Sequence, residues 1–555
     1  MSQLRRVAVA IVTVMVAAAL ASCGGSNGDS SSVLRIGTSS GISSPNPFVG
    51  YNQDDYSVWT YIYPTLLQYD TTKSGFPYAG NFARKWSTST DGRTVTFHTV
   101  PDASWSDGTP LTADDAAWTL TMIKKYAHGP TATWAGSVRY MTSARATDKD
   151  TLVVTYRRPV ASAYSDVGMT PILPRQVWGQ YATGNGKQLT TFENVPENGK
   201  PLVGGGPFVM TKYTKDSIAL FARNSHWYGP APHISGFGLQ FFHDEDAMIT
   251  ALKTGQLDAI NEIPPTSVSS LQKAGQHVYV GPALSLRDLI INSDPNKTKN
   301  RELLDPQVRK AMEYAVDRDA IVKTAWLGYA SPGASLVPAG NATGGTQWHD
   351  PDISPLPFDI DKANQILDSL GYQRGGNGIR VADGHQMSYN VIFPQDEEGA
   401  GDRAFQIIQR GFRQIGIAIT QTRLDDDAAF QAIYGGKKSG YQFDLAMWDW
   451  FPAADPGFIL DAMTCKQYGD WNDSGYCTKQ YDALDLQQDR TTNASQRQSV
   501  VFQMQQMIYA AKPYIILTYD KRLDAWSPKW TGFVESPQGF FNNFSTQSLL
   551  SVRPA

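Results

Sequence analysis

Cysteine is scarce in this 555-residue chain, with three residues at positions 23, 465 and 477. Two thiols cannot make a zinc site alone, and three exclude a disulfide-dense scaffold. Histidine is also thin: eight residues lie scattered, and the nearest pair, His226 and His233, is separated by Pro230 and Pro232, so no regular helix aligns them. No metal or cofactor is expected. Basic charge is low, with a formal net charge of −4 and no basic block, which argues against nucleic-acid binding. After Leu20 no apolar run is long enough to cross a bilayer. No phosphate loop, internal repeat or long low-complexity stretch is present.

What is there begins at the amino terminus. Arg5 and Arg6 precede an apolar run from Val7 to Leu20, of signal-peptide length. Small residues at Ala21 and Ser22 then lead into Cys23, and Leu20 to Cys23 resembles the lipobox of bacterial lipoproteins, in which the thiol carries diacylglycerol. Residues 1–22 therefore read as a lipoprotein signal peptide. Cys23 reads as a lipidation site that places the chain on the outer face of a cell membrane. Cleavage there deletes two arginines and no acid, so the formal charge goes from −4 to −6. Residues 23–32 are rich in Gly and Ser, have nothing to bury and read as a flexible tether of roughly 17 Å root-mean-square reach.

Strand-like and helix-like stretches alternate through the body, which predicts an α/β fold. Val33 to Gly37 reads as an opening strand. Residues 305–316 read as a helix capped by Asp305, with Pro306 in its first turn and apolar residues at 308, 311, 312, 315 and 316. Helices are also expected from Asp244 to Thr254 and from Asp361 to Leu370, stopped by Gly255 and Gly371. A hairpin is expected at 208–223, turning at Thr214 to Ser217, and Thr112 to Asp115 resembles a capping box. Cys465 and Cys477 are expected to form a disulfide closing a polar loop, worth roughly 3 kcal/mol in the chain-entropy model.

Several segments in order resemble a known family. The most specific run from Phe82 to Phe97 and from Ala103 to Asp115. Further matches are Gly204 to Phe208, Arg223 and Asn224 before Trp227 and Tyr228, Thr254 to Asp258, Arg309 to Ala311 through Asp317 and Arg318, and Tyr481 with Asp482. Together they resemble the family 5 extracytoplasmic solute-binding proteins of peptide and nickel ABC importers. For most of these motifs a structural role is the better reading: Asp91 with Gly92 and Asp107 with Gly108 set turns, while Arg309 and Asp317 pair or cap helices.

The resemblance implies a two-lobed periplasmic-binding-protein-like fold of class II, closing over ligand about a hinge. Mapped here, lobe I takes 33–66, 200–287 and 520–555, with an extra domain at 67–199, and lobe II takes 288–519. The implied role is capture of a solute, an oligopeptide or dipeptide first, for permease subunits served by a separate ATPase chain; an oligosaccharide, metal or cofactor ligand is the alternative within the family. The chain is expected to be a monomer and not an enzyme.

Peptide-binding relatives place an aspartate just downstream of a Trp-ended strand against the ligand's amino terminus. Here the stretch is Phe443 to Pro456, and the expected position falls on Pro452. Asp449 or Asp455 is left to supply the charge from a shifted loop, with Trp448 and Trp450 as an aromatic wall. Alternation along the strand is expected to turn one of the two indoles into the core. Tyr51 and Asn52, in the loop after the first strand, are weaker contact candidates.

Two motifs are declined. Gly37 to Gly41 fits the G-x-S-x-G pattern of a serine hydrolase, but Ile42 to Pro47 does not read as the helix that chemistry needs. Asp470 to Gly475 resembles the start of a calcium loop, but position twelve is Tyr481 instead of Glu, so a solvated turn is expected.

Overall fold

The computed structural model describes residues 32–397, 399–434, 440–451, 454–543 and 545–555. Cys23, the signal segment, all but the last residue of the tether, and Pro452 lie outside the described residues.

An 11-stranded sheet organises the chain. Its strands are β1 (Val33–Thr38), β2 (Phe208–Thr214), β3 (Ile218–Arg223), β4 (Gly236–Phe241), β5 (Ala259–Ile260), β6 (His277–Ile291), β7 (Ala330–Pro332), β8 (Ser388–Pro394), β9 (Ala418–Leu424), β10 (Leu445–Trp450) and β11 (Tyr514–Trp526). They run in the order β9-β8-β10-β6-β11-β5-β1-β4-β3-β2, with β7 paired to β11. β1 lies parallel to β4 and β5, and β8 lies parallel to β9 and β10, so each end of the sheet has a parallel nucleus. The opening strand forms where alternation places it, with Leu34 and Ile36 fully buried.

Two antiparallel strands join the ends. β6 is 15 residues long, about 50 Å at an extended rise, and β11 is 13. Near Trp526 this pair borders β5, and near Ile291 it borders β10. Its register slips between Val280 and Asp288. Apolar side chains on either side of that slip belong to separate cores. One cluster gathers Leu34, Trp59, Phe97, Trp178 and Phe237. Others, built around Leu289, Phe393 and Leu517 and around Ile290, Trp450 and Met504, fill the other end.

A four-stranded antiparallel sheet lies within the first core: Ala83–Thr88, Thr94–Thr99, Thr151–Tyr156 and Met141–Asp148, in that spatial order. Val95 and Phe97 alternate inward, as do Leu152, Val154 and Tyr156. Each such side chain, once buried, contributes roughly 1.5–3 kcal/mol.

Caps stand where the sequence signals them. Thr112 and Asp115 form the capping box of helix Ala113–Lys125. Asp244 caps Glu245–Lys253, and Gly255 follows at φ +77°. The hairpin turns at Lys215 to Ser217, with Asp216 at φ +53°. The helix from Asp305 is shorter than its apolar pattern: it spans Pro306–Tyr314, and Asp317 caps a separate helix, Arg318–Thr324. Arg309 does not pair with Asp317; its guanidinium donates to the carbonyls of Leu303 and Ala511, joining two helix ends.

The family-like motifs prove to be joints. Asp258 receives three hydrogen bonds from Arg35, and buried Asn224 donates to the carbonyls of Gly204 and Gly206. A Cβ at Gly206 would sit 2.3 Å from the Tyr61 carbonyl oxygen, so only glycine lets these backbones meet. Residues 39–52 contain no helix, which removes the strand-turn-helix frame a G-x-S-x-G nucleophile needs.

Candidate functional site

One wall of the site begins at α1 (Gln53–Ile62), fixed to the end of β1 by a buried acid. The Thr38 hydroxyl donates to Asp54 at 2.6 Å, and burial pushes that carboxyl up to about 7. Tyr56, Trp59 and Thr60 project from this helix into a cavity of about 370 Å³. Trp134 joins them, its ring centroid 5.9 Å from Tyr56 and 6.2 Å from Trp59. The indole N–H groups of Trp59 and Trp134 donate to the carbonyls of Pro45 and Pro47. The loop after β1 therefore supports the aromatic wall from behind. Arg139, Tyr140, Tyr156 and α2 (Ala163–Gly168), which carries Asp166, complete this side.

The opposite wall comes from the second core. It is built by Ala454, Asp455, α3 (Gly457–Ala462) with Phe458 and Asp461, and α4 (Lys479–Arg490) with Asp485, Gln488 and Asp489. α5 (Ala494–Ala511) lies behind and sends Arg497 forward. Volume and aromatic lining fall in the range of small-molecule sites.

The site's electrostatics follow from five carboxyls meeting four cations. Arg497 holds Asp455 through two hydrogen bonds of 2.6 and 2.7 Å; burial alone would raise that carboxyl, but the guanidinium keeps it below the usual range. Asp461 receives Arg139 at 2.9 and 3.3 Å and also pairs with Lys466. Lys466 reaches Asp485 at 3.5 Å, and that carboxyl is pushed up to about 6 by burial and by Asp461. Arg158 meets Asp489 at 2.7 Å. Asp166 has a hydrogen bond from the Ser162 hydroxyl at 2.8 Å and, among the described residues, no ion pair.

Two of these pairs cross the cavity. Arg139 to Asp461 and Arg158 to Asp489 tie the wall of the first core to that of the second, and the Ala161 N–H adds a bond to the Asp489 carbonyl at 2.9 Å. Arg158 also stacks on Tyr140, its guanidinium carbon 3.5 Å from the ring centroid.

Most residues expected at the site lie elsewhere. Tyr51 is 74 % exposed and does not line the cavity. Asn52 caps α1, its backbone N–H donating to Asp55 at 2.9 Å. Trp448, Asp449 and Trp450 are on β10, outside the cavity. The two indoles are two residues apart, so they share a face and alternation does not separate them. Trp450 is nonetheless buried, donating to Asp473, while Trp448 is half-buried against Tyr434. Asp449 pairs in register with Arg287 across β6. Asp455 alone of this group lines the cavity, and Arg497 already occupies both its oxygens.

Cys465 and Cys477 are bonded, with Cα atoms 4.8 Å apart. The loop they close is no solvated turn: Asn472, Asp473 and Ser474 are fully buried. Asp473 accepts from Tyr434, Trp450 and Tyr514, and burial pushes it up to about 7. Among the described residues no group of three or more His, Cys, Asp or Glu is arranged to hold a metal ion, and no helix is long and apolar enough to cross a membrane.

A match to the model of the bacterial extracellular solute-binding proteins, family 5 Middle, covers residues 78–470. The chain belongs to this family. It is 27 % identical over 515 residues to Protein XP55 of Streptomyces lividans, covering 92 % of this chain and 88 % of that one. NikZ from Campylobacter jejuni, solved with Ni(L-His), superposes with a TM-score of 0.79 at 19 % identity, covering 94 % of this chain and 99 % of NikZ. The ABC transporter-associated periplasmic binding protein DppA from Helicobacter pylori, solved with the peptide STSA, gives 0.75 at 20 %, covering 94 % and 98 %. The fold is therefore the two-lobed α/β architecture of family 5 binding proteins, and the family's members are solute-binding proteins, not enzymes.

Apart from Asp455, the residues that build the cavity walls carry no local signal in the sequence. Arg139 and Asp461 stand 322 positions apart, Arg158 and Asp489 331. No local spacing marks either pair.

Proposed function

We propose that this chain is the substrate-binding lipoprotein of an ABC importer and captures an oligopeptide or dipeptide in the 370 Å³ cavity by closure of two lobes. The observation that carries the reading is the cavity's construction: its walls belong to separate cores, joined through β6 and β11 and bridged by ion pairs. Lobe I comprises 33–66, 200–287 and 520–555, with 67–199 as its extra domain, and lobe II comprises 288–519. The slip in β6 between Val280 and Asp288 supports a hinge near the first boundary. A peptide ligand draws support from the resemblance to DppA and from aromatic faces beside polar groups, which suit amide-rich ligands. Cys23 carries the lipid, and the protein, a monomer, delivers its solute to permease subunits whose ATPase is a separate chain.

Thermal-shift screening of the mature chain against di- to pentapeptides and cello-oligosaccharides tests the ligand. Stabilisation by peptides is expected; stabilisation by oligosaccharides alone refutes the assignment. Cys23→Ala is expected to release folded protein into the medium, and a variant that stayed membrane-bound would refute the anchor.

A further inference from the structure

The cavity's ion pairs leave one group over. Four of its five carboxyls, Asp455, Asp461, Asp485 and Asp489, face a cation: Arg497, Arg139 with Lys466, Lys466 and Arg158 respectively. The fifth, Asp166, has only the Ser162 hydroxyl. Arg139 is the single basic side chain among the lining residues, and Asp461 holds its guanidinium. As built, the described walls offer one carboxyl without an ion-pair partner and no unmatched positive group.

Asp166 is placed for recognition by its own backbone. It sits on α2, whose carbonyl at Asp166 accepts from the Thr170 hydroxyl at 2.7 Å and whose first residues follow the Arg158 clasp closely. Tyr156 and Met169 line the same stretch of wall, giving an apolar and aromatic surround in which a charge-assisted hydrogen bond gains strength. Resting on the capture reading above, we infer that the solute presents a cationic nitrogen, as in the amino terminus of a peptide, and that Asp166 is the specificity-determining residue that receives it. Because no free cation lines the cavity among the described residues, a carboxylate on the same solute has no counterpart there. Burial, together with the nearby Asp455 and Asp489 carboxylates, outweighs the Ser162 bond and the more distant Arg139 charge and pushes the empty Asp166 carboxyl up to about 8.

Tetrapeptides with a free amino terminus are compared with their N-acetylated forms, each as carboxylate and as amide, by titration calorimetry and thermal shift. The protein is the mature full-length chain and its Asp166→Asn and Asp216→Asn variants. The free amine is expected to bind the wild type at least about tenfold more tightly than the acetylated form. Changing the carboxylate to an amide is expected to leave affinity within about threefold. Asp166→Asn is expected to lose the amine preference while Asp216→Asn, at an exposed hairpin turn, keeps it. Equal binding of acetylated and free peptides by the wild type overturns the inference and leaves capture standing, as does an amine preference that survives Asp166→Asn. If no peptide of either series binds the wild type, the peptide reading falls and this inference with it.

Discussion

Removing the Arg158 to Asp489 clasp should weaken ligand binding without touching the ligand. Both side chains are 11 % exposed, their closest atoms are 2.7 Å apart, and Arg158 is further held over Tyr140. In the closed arrangement this is a largely desolvated, charge-assisted hydrogen bond, for which a coupling of about 1.5–3 kcal/mol is the ordinary magnitude. Opening the lobes separates the partners and returns each to water, so the coupling acts almost entirely on the closed state. About 2 kcal/mol lowers the closed-to-open ratio roughly 30-fold, and a ligand that binds the closed state loses affinity by the same factor. The assay is a double-mutant cycle on ligand dissociation constants with Arg158→Ala, Asp489→Ala and the pair, with melting temperatures as the control for folding. Each single variant should bind about 30-fold more weakly or worse, because it strands a partner. The double variant should recover part of that loss. Additive effects, or affinities unchanged within twofold, would show that the bridge does not govern closure.

Two further outcomes follow from buried groups. Asp288 is fully buried, both its carboxylate oxygens lack a hydrogen-bond partner among the described residues, and burial with neighbouring acids holds it well above the usual carboxylate range. Its folded form keeps a proton that the unfolded chain releases, so its contribution is complete below about pH 4 and is lost as pH rises toward its folded value. Asp288→Asn should flatten the decline in stability as pH rises above about 5, by up to about 1.4 kcal/mol per pH unit, read from denaturant unfolding; parallel curves would refute the protonated state. Reducing the Cys465 to Cys477 bond frees a loop that delivers Asp473 to Tyr434 and Tyr514. A loss of about 3 kcal/mol is expected for that loop length, and a melting temperature unmoved by reductant would contradict it.

Local signals in the sequence carried the fold further than the site. Asp305 before Pro306, Thr112 with Asp115, and the turn after Thr214 each specify structure within a few residues, and each stands in place. The helix end at Tyr314 escaped notice because apolar spacing runs on through Val316, where the residues pack as a turn before the Asp317 cap. Local patterning points to the strand around Trp448 and Asp449 and to the loop at Tyr51 and Asn52. The cavity instead draws on side chains more than 300 positions apart, and only tertiary folding makes Arg158 a neighbour of Asp489. Asp455 lines the cavity, and its partner Arg497, 42 residues on, holds both its oxygens.

Closure over a ligand is the claim on which the rest depends, and the distance across the cavity measures it most directly. Spin labels on cysteines introduced at exposed Thr90 and Ser495 flank the two cores. The mature chain is stripped of bound solute by unfolding and refolding, then mixed with free-amine tetrapeptides. Electron–electron resonance should show a longer or broader distribution in the stripped protein that collapses to a single shorter distance with peptide. One unchanged distance in both states, with peptide bound, would contradict a hinged receptor.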